Sequence, residues 1–275
     1  MNQKTILITG CSTGIGLNAA ITLKQRGYRV FASARQEKDV EHLQSLGFES
    51  LLLDLACEQS IESGLNFVLQ QSNGKLDYLF NNGAYGQAGA LEDLSTAALR
   101  EQFETNVFGW HHLTRLVIKV MREQGHGRIV QNSSVLGFVS MPYRGAYNAS
   151  KYAVEGLTDT LRLELADTNI QISLLEPGPI DSDFRKNALI KFKQHINWQD
   201  SIHVKNYKTQ IERLEKQGTS NRFTLAPEAV TKCLIHALES RKAEVRYRIT
   251  FPTKLFGLLK RLLSSRLLDR LLVKG

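Results

Sequence analysis

The sequence predicts an α/β fold: a doubly wound parallel sheet of about seven strands with helices on both faces. Three observations predict it. Short apolar runs alternate with amphipathic stretches over the first two-thirds of the 275-residue chain, which is the rhythm of strand–helix–strand units. A glycine-rich loop follows the first run and opens directly into a helical pattern. A 42% hydrophobic fraction supplies a large core, and only five prolines interrupt the periodic segments.

Taken in order, residues 5–8 (TILI), 28–32, 50–53, 76–80, 128–131 and 170–175 are short apolar runs and are expected to be buried parallel strands. Between them, residues 15–25, 40–46, 61–71, 99–122 and 147–165 are expected to be helices. In the last of these Val154, Leu157, Leu161 and Leu165 recur at three- and four-residue steps, giving one apolar face. After Pro177 the rhythm breaks. Residues 181–222 are polar and carry no strand signal, the mark of a helical insertion closing over the site as a lid. Residues 226–239 resume as a helix and 245–249 supply a last strand. The expected organisation is one domain over 1–252 and a tail over 253–275.

Charge narrows the function classes. The formal charge is +8, yet residues 241–275 hold ten Lys/Arg against two Asp/Glu, which leaves 25 of each sign in the first 240 residues. The basicity belongs to the tail, so a nucleic-acid-binding body is not expected. Three scattered cysteines, Cys11, Cys57 and Cys233, make neither a disulfide framework nor a zinc site, and the seven histidines show no ligand spacing. No metal is expected. The N-terminus lacks an apolar leader and no run reaches the length of a membrane span. A soluble, cytoplasmic protein is the expectation, with a peripheral place on the inner face of a membrane left open by the basic tail.

The glycine loop reads Thr9-Gly10-Cys11-Ser12-Thr13-Gly14-Ile15-Gly16. Gly10 suits a tight turn, while Gly14 and Gly16 let backbone and helix approach a pyrophosphate held at the helix N-terminus. The second strand ends at Ala34-Arg35 with no carboxylate to bind a ribose 2′-hydroxyl. Arg35 instead suits a 2′-phosphate, which its planar fork can grip, so NADP(H) is expected over NAD(H). Asp54, ending the third strand, is a candidate for the adenine amino group or for a helix cap. Cys11 stands beside the phosphate site and is read as a small loop residue.

Tyr147 and Lys151 stand four residues apart, on one helix face. An ammonium beside a phenol lowers the phenol's pKa, and a tyrosine so tuned exchanges protons near neutral pH. Ser134, thirteen residues upstream and just after a strand, is placed to hydrogen-bond a substrate oxygen. Asn106, in an expected helix, is placed to bridge Lys151 through water.

The combination TGCSTGIG, NNGA, Asn106, Ser134, Tyr147-x-x-x-Lys151 and Pro177-Gly178 resembles the classical short-chain dehydrogenase/reductase family, over about 240 residues and in that family's order. NNGAYG, RGAYNASKYAVEGL and LLEPGPI look most like bacterial NADP-dependent aldehyde reductases and are similar to retinol- and estradiol-type dehydrogenases. The resemblance implies a Rossmann-type sheet and roles residue by residue. Tyr147 is the general acid in reduction, Lys151 holds the nicotinamide ribose and lowers the tyrosine's pKa, Ser134 polarises the carbonyl and Asn106 holds a relay water. Gly10, Ser12, Thr13, Gly14, Ile15, Gly16, Arg35, Asp54, Asn82, Gly83, Pro177, Gly178, Ile180 and Ser182 line the cofactor, together with Tyr147 and Lys151. The pro-S hydride of NADPH passes to the substrate carbon, and relatives pair as dimers or tetramers through the 147–165 helix. Two departures stand out. Asn81-Asn82-Gly83-Ala84 exchanges the family's usual alanine and glycine, and Ser182 replaces a usual threonine but keeps its hydroxyl.

Leu136, Phe138, Met141 and Tyr143, with Ser134 and Tyr147, are expected to line the substrate pocket. These side chains are apolar or amphipathic, which suits an apolar aldehyde, ketone or alcohol. Reduction is the expected direction, oxidation of a retinol- or hydroxysteroid-like alcohol the alternative. A non-catalytic nucleotide sensor docked to a membrane is a third reading, disfavoured by the intact tetrad. The tail carries Leu255, Leu258, Leu259, Leu262 and Leu263 opposite Lys254, Lys260 and Arg261, then a second stripe of Leu267, Leu268, Leu271 and Leu272 after Ser264-Ser265. Two short amphipathic helices are expected there, lying either on an anionic membrane surface or on their own domain or a partner subunit.

Overall fold

The computed structural model describes residues 3–215 and 222–273. Among the described residues β1 (Thr5–Ile8), β2 (Arg29–Ala34), β3 (Glu49–Leu52), β4 (Tyr78–Asn81), β5 (Gly127–Asn132), β6 (Ile170–Glu176) and β7 (Arg246–Arg248) form one parallel sheet in the order β3-β2-β1-β4-β5-β6-β7. The expected Rossmann-type sheet of seven strands is what is observed. Each central strand is apolar on both sides because both sheet faces are covered. Ile6 and Ile8 enter one core layer and Leu7 the other; Val30 and Ala32 likewise oppose Phe31.

Helices α1 (Gly14–Gln25) and α2 (Glu37–Ser45) cover one face, and α3 (Glu58–Gln71) the other. α4 (Thr96–Phe103) leads through a π-helical turn, Glu104–Phe108, into α5 (Gly109–Gln124). The single helix expected over 99–122 is thus two helices, joined by a turn that carries one extra residue. α5 packs beside α3, and α6 (Gly145–Glu164) contributes to the same core layer. Val154 and Leu161 of α6 and Leu165 at its C-terminal cap face the core as expected, whereas Leu157 lies at the edge of that stripe and is exposed. The strand order reverses between β1 and β4, so the crevice a nucleotide would use opens at the carboxyl ends of β1, β4 and β5.

The 181–222 stretch folds as α7 (Phe184–His195) and α8 (Val204–Glu215), and residues 216–221 of it lie outside the described residues. Its polar composition conceals an apolar cluster of its own: Ala188, Phe192, Ile196, Tyr207 and Leu214 pack with Ala88 and Ala90. Tyr207 pins this cluster down, accepting the Ala90 N–H at 2.9 Å and donating to Asp93 at 2.5 Å. Both ends of the insertion meet, since Ile180 bridges Leu225. α9 (Glu228–Glu239) then returns to pack beside α1.

The tail forms α10 (Phe251–Leu262) and α11 (Ser265–Leu272), with the break at the serines. α10 starts two residues before the expected boundary. Thr250 caps it, its hydroxyl accepting from the Thr253 N–H at 3.4 Å, and Pro252 sits in the first turn where a proline is tolerated. Leu268, Leu272 and Phe256 pack against Val135, Leu136, Val139, Met141 and Tyr147.

Candidate active site

Gly10 and Gly14 adopt φ of +69° and +59°, the left-handed region that glycine enters without strain. A Cβ on Gly10 would stand 2.5 Å from the Cα of Gly83, and one on Gly16 would stand 2.2 Å from the Gly10 carbonyl oxygen. Gly83 therefore meets Gly10 backbone to backbone, while the Ala84 methyl is turned into the core layer beneath. The exchange of glycine and alanine places the smaller residue at the tight contact. Thr9 Oγ1 fastens the junction by accepting the N–H groups of Asn82 and Gly83, both at 2.9 Å. α1 starts here with no acidic residue in its first turn and no side-chain cap from Thr13. Exposed helix N–H groups and glycine backbone converging on one crevice fit a pyrophosphate.

A hydrogen-bonded chain leads from this loop to Lys151. Asn82 Nδ2 donates to the carbonyls of Thr9 and Gly10 at 3.0 and 3.1 Å. Asn132 Nδ2 donates to Asn82 Oδ1 at 2.9 Å, and Lys151 Nζ donates to the Asn132 carbonyl at 2.7 Å. The Lys151 ammonium also lies 4.2 Å from the centroid of the Trp110 ring, whose Nε1 donates to the Gly83 carbonyl at 2.8 Å. Asn132 and Trp110 were not singled out in the sequence. The only signals were an asparagine closing a buried strand and a tryptophan inside a helical pattern.

Lys151 is 1% exposed, and burial pushes its ammonium down to about 7, with the Glu155 carboxylate pulling the other way. Its Nζ lies 5.7 Å from the Tyr147 ring centroid. The Tyr147 phenol is pushed above its ordinary value by burial, a hydrogen bond with Ser134 opposing the shift. The direction is opposite to the one expected: removal from water outweighs the Ser134 hydrogen bond, so the phenol keeps its proton through neutral pH. The Phe184 ring packs 5.2 Å from that of Tyr147, bringing α7 over the tyrosine. Ser134 starts the short 3₁₀ turn Val135–Gly137, its Oγ accepting the Leu136 N–H at 3.1 Å. Asn106 lies in the π-turn. Its Nδ2 donates to the Tyr85 carbonyl at 2.9 Å and to Ser150 Oγ at 3.2 Å, and its Oδ1 accepts the Tyr85 N–H. The side chain is thereby fixed beneath α6 and makes no direct bond to Lys151. π-Turns recur at functional sites because the extra residue re-aims one side chain.

The remaining predicted residues divide. Arg35 stands exposed at the end of β2, with no hydrogen bond or ion pair among the described residues. Asp54 accepts the Ala56 N–H at 3.0 Å, a local turn bond rather than a helix cap. Ser182 faces Gly14, its Cβ 3.0 Å from where a Gly14 Cβ would be. The Pro177 carbonyl accepts the Val135 N–H at 2.8 Å, tying this loop to the serine loop. Gly178 is explained by packing against the tail, because a Cβ there would meet Thr250 Oγ1 at 2.2 Å. Ile180 is half-buried in the core layer of α1 and α9, and Ser12 is half-buried in the loop. Cys11 is fully buried, donates to the Ile8 carbonyl at 3.3 Å and has its thiol pushed up to about 12, which matches an inert loop residue. Among the expected substrate residues, Leu136, Phe138 and Met141 gather with Tyr147. Tyr143 does not. With φ +60° it turns to α8, where its hydroxyl accepts from Asn206 Nδ2 at 2.5 Å and its ring contacts Tyr207.

Residues 4–191 match the short chain dehydrogenase family. The chain belongs to that family. It is 41% identical to the oxidoreductase YbbO of Escherichia coli over 270 residues, 98% of this chain and 94% of that one. It is 37% identical to human retinol dehydrogenase 8 over 196 residues, 68% and 62% of the two chains. Its fold superposes on a short chain dehydrogenase/reductase from Burkholderia phymatum in complex with NAD, with a TM-score of 0.78, 25% identity, and 95% and 92% of the two chains covered. As a short-chain dehydrogenase the protein is an oxidoreductase acting on CH–OH and C=O groups of small molecules, with a nicotinamide dinucleotide as the family's cofactor.

Proposed function

We propose that this short-chain dehydrogenase is an NADPH-dependent reductase of apolar aldehydes and ketones. The observation that carries the reading is the convergence of Ser134, Tyr147 and Lys151 at the end of a hydrogen-bonded chain that starts at the phosphate loop. In this reading the pyrophosphate rests on residues 10–16 and Arg35 grips the 2′-phosphate. Asp54 meets the adenine, while Asn82, Gly83, Pro177, Gly178, Ile180 and Ser182 surround the rest. Bound NADPH supplies the hydride. Tyr147 delivers the proton to the carbonyl oxygen, and its burial keeps that proton available. Ser134 donates a hydrogen bond to the same oxygen, where negative charge develops. Lys151 holds the ribose hydroxyls and, once paired with them, gives the phenol a positive neighbour. Asn106 shapes the floor through which protons are resupplied.

The substrate assignment is supported by the walls, which are apolar side chains from the serine loop, α7 and α11. Likeness to retinol dehydrogenase 8 supports the same class of substrate, run as alcohol oxidation in that enzyme's name. We take 181–222 as a lid, supported by its joined ends and by Phe184 over Tyr147. We take the oligomer to be a homodimer or homotetramer paired through α6, where Tyr152, Leu157 and Leu163 are exposed. Three free cysteines suit a reducing cytoplasm. The test is NADPH oxidation across a panel of aldehydes and ketones, with NADH in parallel. Turnover with NADPH on apolar carbonyls is expected; turnover confined to NADH, or none on any carbonyl, overturns the reading.

A further inference from the structure

The tail has one face in use and one standing in water. On α10, Phe256 joins the cluster around Tyr147, Gly257 packs against the Arg248 guanidinium, and Lys260 hydrogen-bonds the Phe138 carbonyl and lies 5.0 Å from the Tyr152 ring centroid. On the opposite side, at steps of four, three and four residues, stand Phe251, Leu255, Leu258 and Leu262, exposed by 60, 38, 54 and 70%. That spacing keeps all four on one narrow stripe of a helix. α11 repeats the division. Leu268 and Leu272 turn to the pocket, whereas Leu267, Leu271 and Val273 are exposed. Large apolar side chains grouped on one outer surface mark an interaction site.

Charge identifies the partner. Lys254, Arg261, Arg266 and Arg270 are exposed on these helices, with Asp269 the one acid among described residues 251–273, while the first 240 residues are neutral. A second copy pairing through this face would set the same cations against each other. A single helix spanning a bilayer is ruled out by length, since α10 has 12 residues and α11 has 8. Short helices with leucines on one side and Lys/Arg along the border suit the plane of an anionic lipid surface, leucines toward the acyl chains and cations at the phosphates. We propose that α10 and α11 dock the protein on an anionic bilayer. Because the inner sides of the same helices wall the pocket, docking seats the pocket mouth at the lipid surface, where an apolar carbonyl compound dissolves. This last step rests on the reductase reading; the docking does not.

The test is flotation of the full-length protein with phosphatidylcholine vesicles, with and without phosphatidylglycerol. The protein is expected to float with the anionic vesicles only, and high salt should weaken binding by about fivefold for each cation screened. Leu258→Glu with Leu262→Glu should weaken flotation on the order of a hundredfold, while NADPH oxidation with a water-soluble aldehyde and the circular dichroism stay as in the wild type. Lys254→Glu with Arg261→Glu should weaken it less. Wild-type protein that ignores anionic vesicles, floats equally with neutral ones, or floats unchanged with both leucines replaced overturns the proposal. So does a wild type that fails to float while the leucine variant loses its oligomer, which would make the stripe a subunit contact. Flotation without any carbonyl reductase activity would leave the docking standing and remove the reductase reading.

Discussion

On the side of the cleft proposed for the cofactor, polar side chains bond backbone at the ends of β1, β4 and β5. Thr9, Asn82 and Asn132 each bridge two segments, and Lys151 closes the series. On the side proposed for the substrate, segments that arrive late in the chain close in through apolar contact, α11 on the serine loop and Phe184 of α7 on the Tyr147 ring. The first side leaves little freedom, because each bond fixes a donor and an acceptor in direction. The second tolerates exchange of one apolar side chain for another of similar volume. A fold so divided keeps its chemistry while its specificity changes.

The largest expected effect lies on the cofactor side. Tyr147→Phe should lower kcat by about a thousandfold, since it removes the proton donor. The phenyl ring keeps its packing on Phe184, so the dissociation constant for NADPH should stay near its wild-type value. Turnover equal to wild type would show that the proton comes from elsewhere. Arg35→Ala ranks next. It should weaken NADPH by about ten- to a hundredfold and NADH hardly at all, because only the former carries a 2′-phosphate. Equal loss with both nucleotides would remove Arg35 from the ribose site.

A smaller and more selective effect belongs to the substrate side. Leu268→Ala with Leu272→Ala should raise KM for long apolar carbonyls by about tenfold and leave short ones and both nucleotides unchanged. A uniform loss across substrates would mean that α11 supports the fold rather than the pocket wall. Leu272 is 5% exposed and packs on Leu136 and Val139, so thermal unfolding of the variant must be followed alongside.

What could be read from the sequence follows the same division. The glycine loop and the Tyr147–Lys151 pair are local patterns, and their geometry is set by one turn and one helix. Asn132 and Trp110 act only because β4 and β5 lie side by side, with Asn81 opposite Gln131, and because α5 crosses beneath. No spacing within one segment announces that. Tyr143 was expected among the pocket residues because it is near them in sequence, yet a left-handed backbone turns it toward α8. The π-turn around Asn106 has no local sequence mark, because residues 104–108 contain no glycine or proline. For the tail, composition weighs a membrane surface equally against docking on its own domain or a partner subunit. Both helices pack one side on their own domain, and both leave an outer apolar stripe exposed.

The smallest effect tests the polar side through its thermodynamics. Lys151 titrates near 7 in the folded protein and at 10.5 when unperturbed. Above about pH 7 the folded state gives up this proton before the unfolded chain does, so stability rises with pH, by at most about 1.4 kcal/mol per pH unit. Glu155, one turn along α6, is shifted the other way, from 4.5 to about 7, chiefly by burial. The folded state there holds a proton that the unfolded chain has lost, so that contribution is complete below 4.5 and disappears as pH rises to about 7. Together the two groups place a minimum in stability near neutral pH for the enzyme measured without nucleotide. Lys151→Met should flatten the alkaline side of that minimum between about pH 7 and pH 9 and leave the acidic side to Glu155. Urea unfolding across pH decides it. A slope above neutrality that survives in Lys151→Met would mean that the lysine keeps its proton in the folded site, held by the Asn132 carbonyl and the Trp110 ring against the cost of burial.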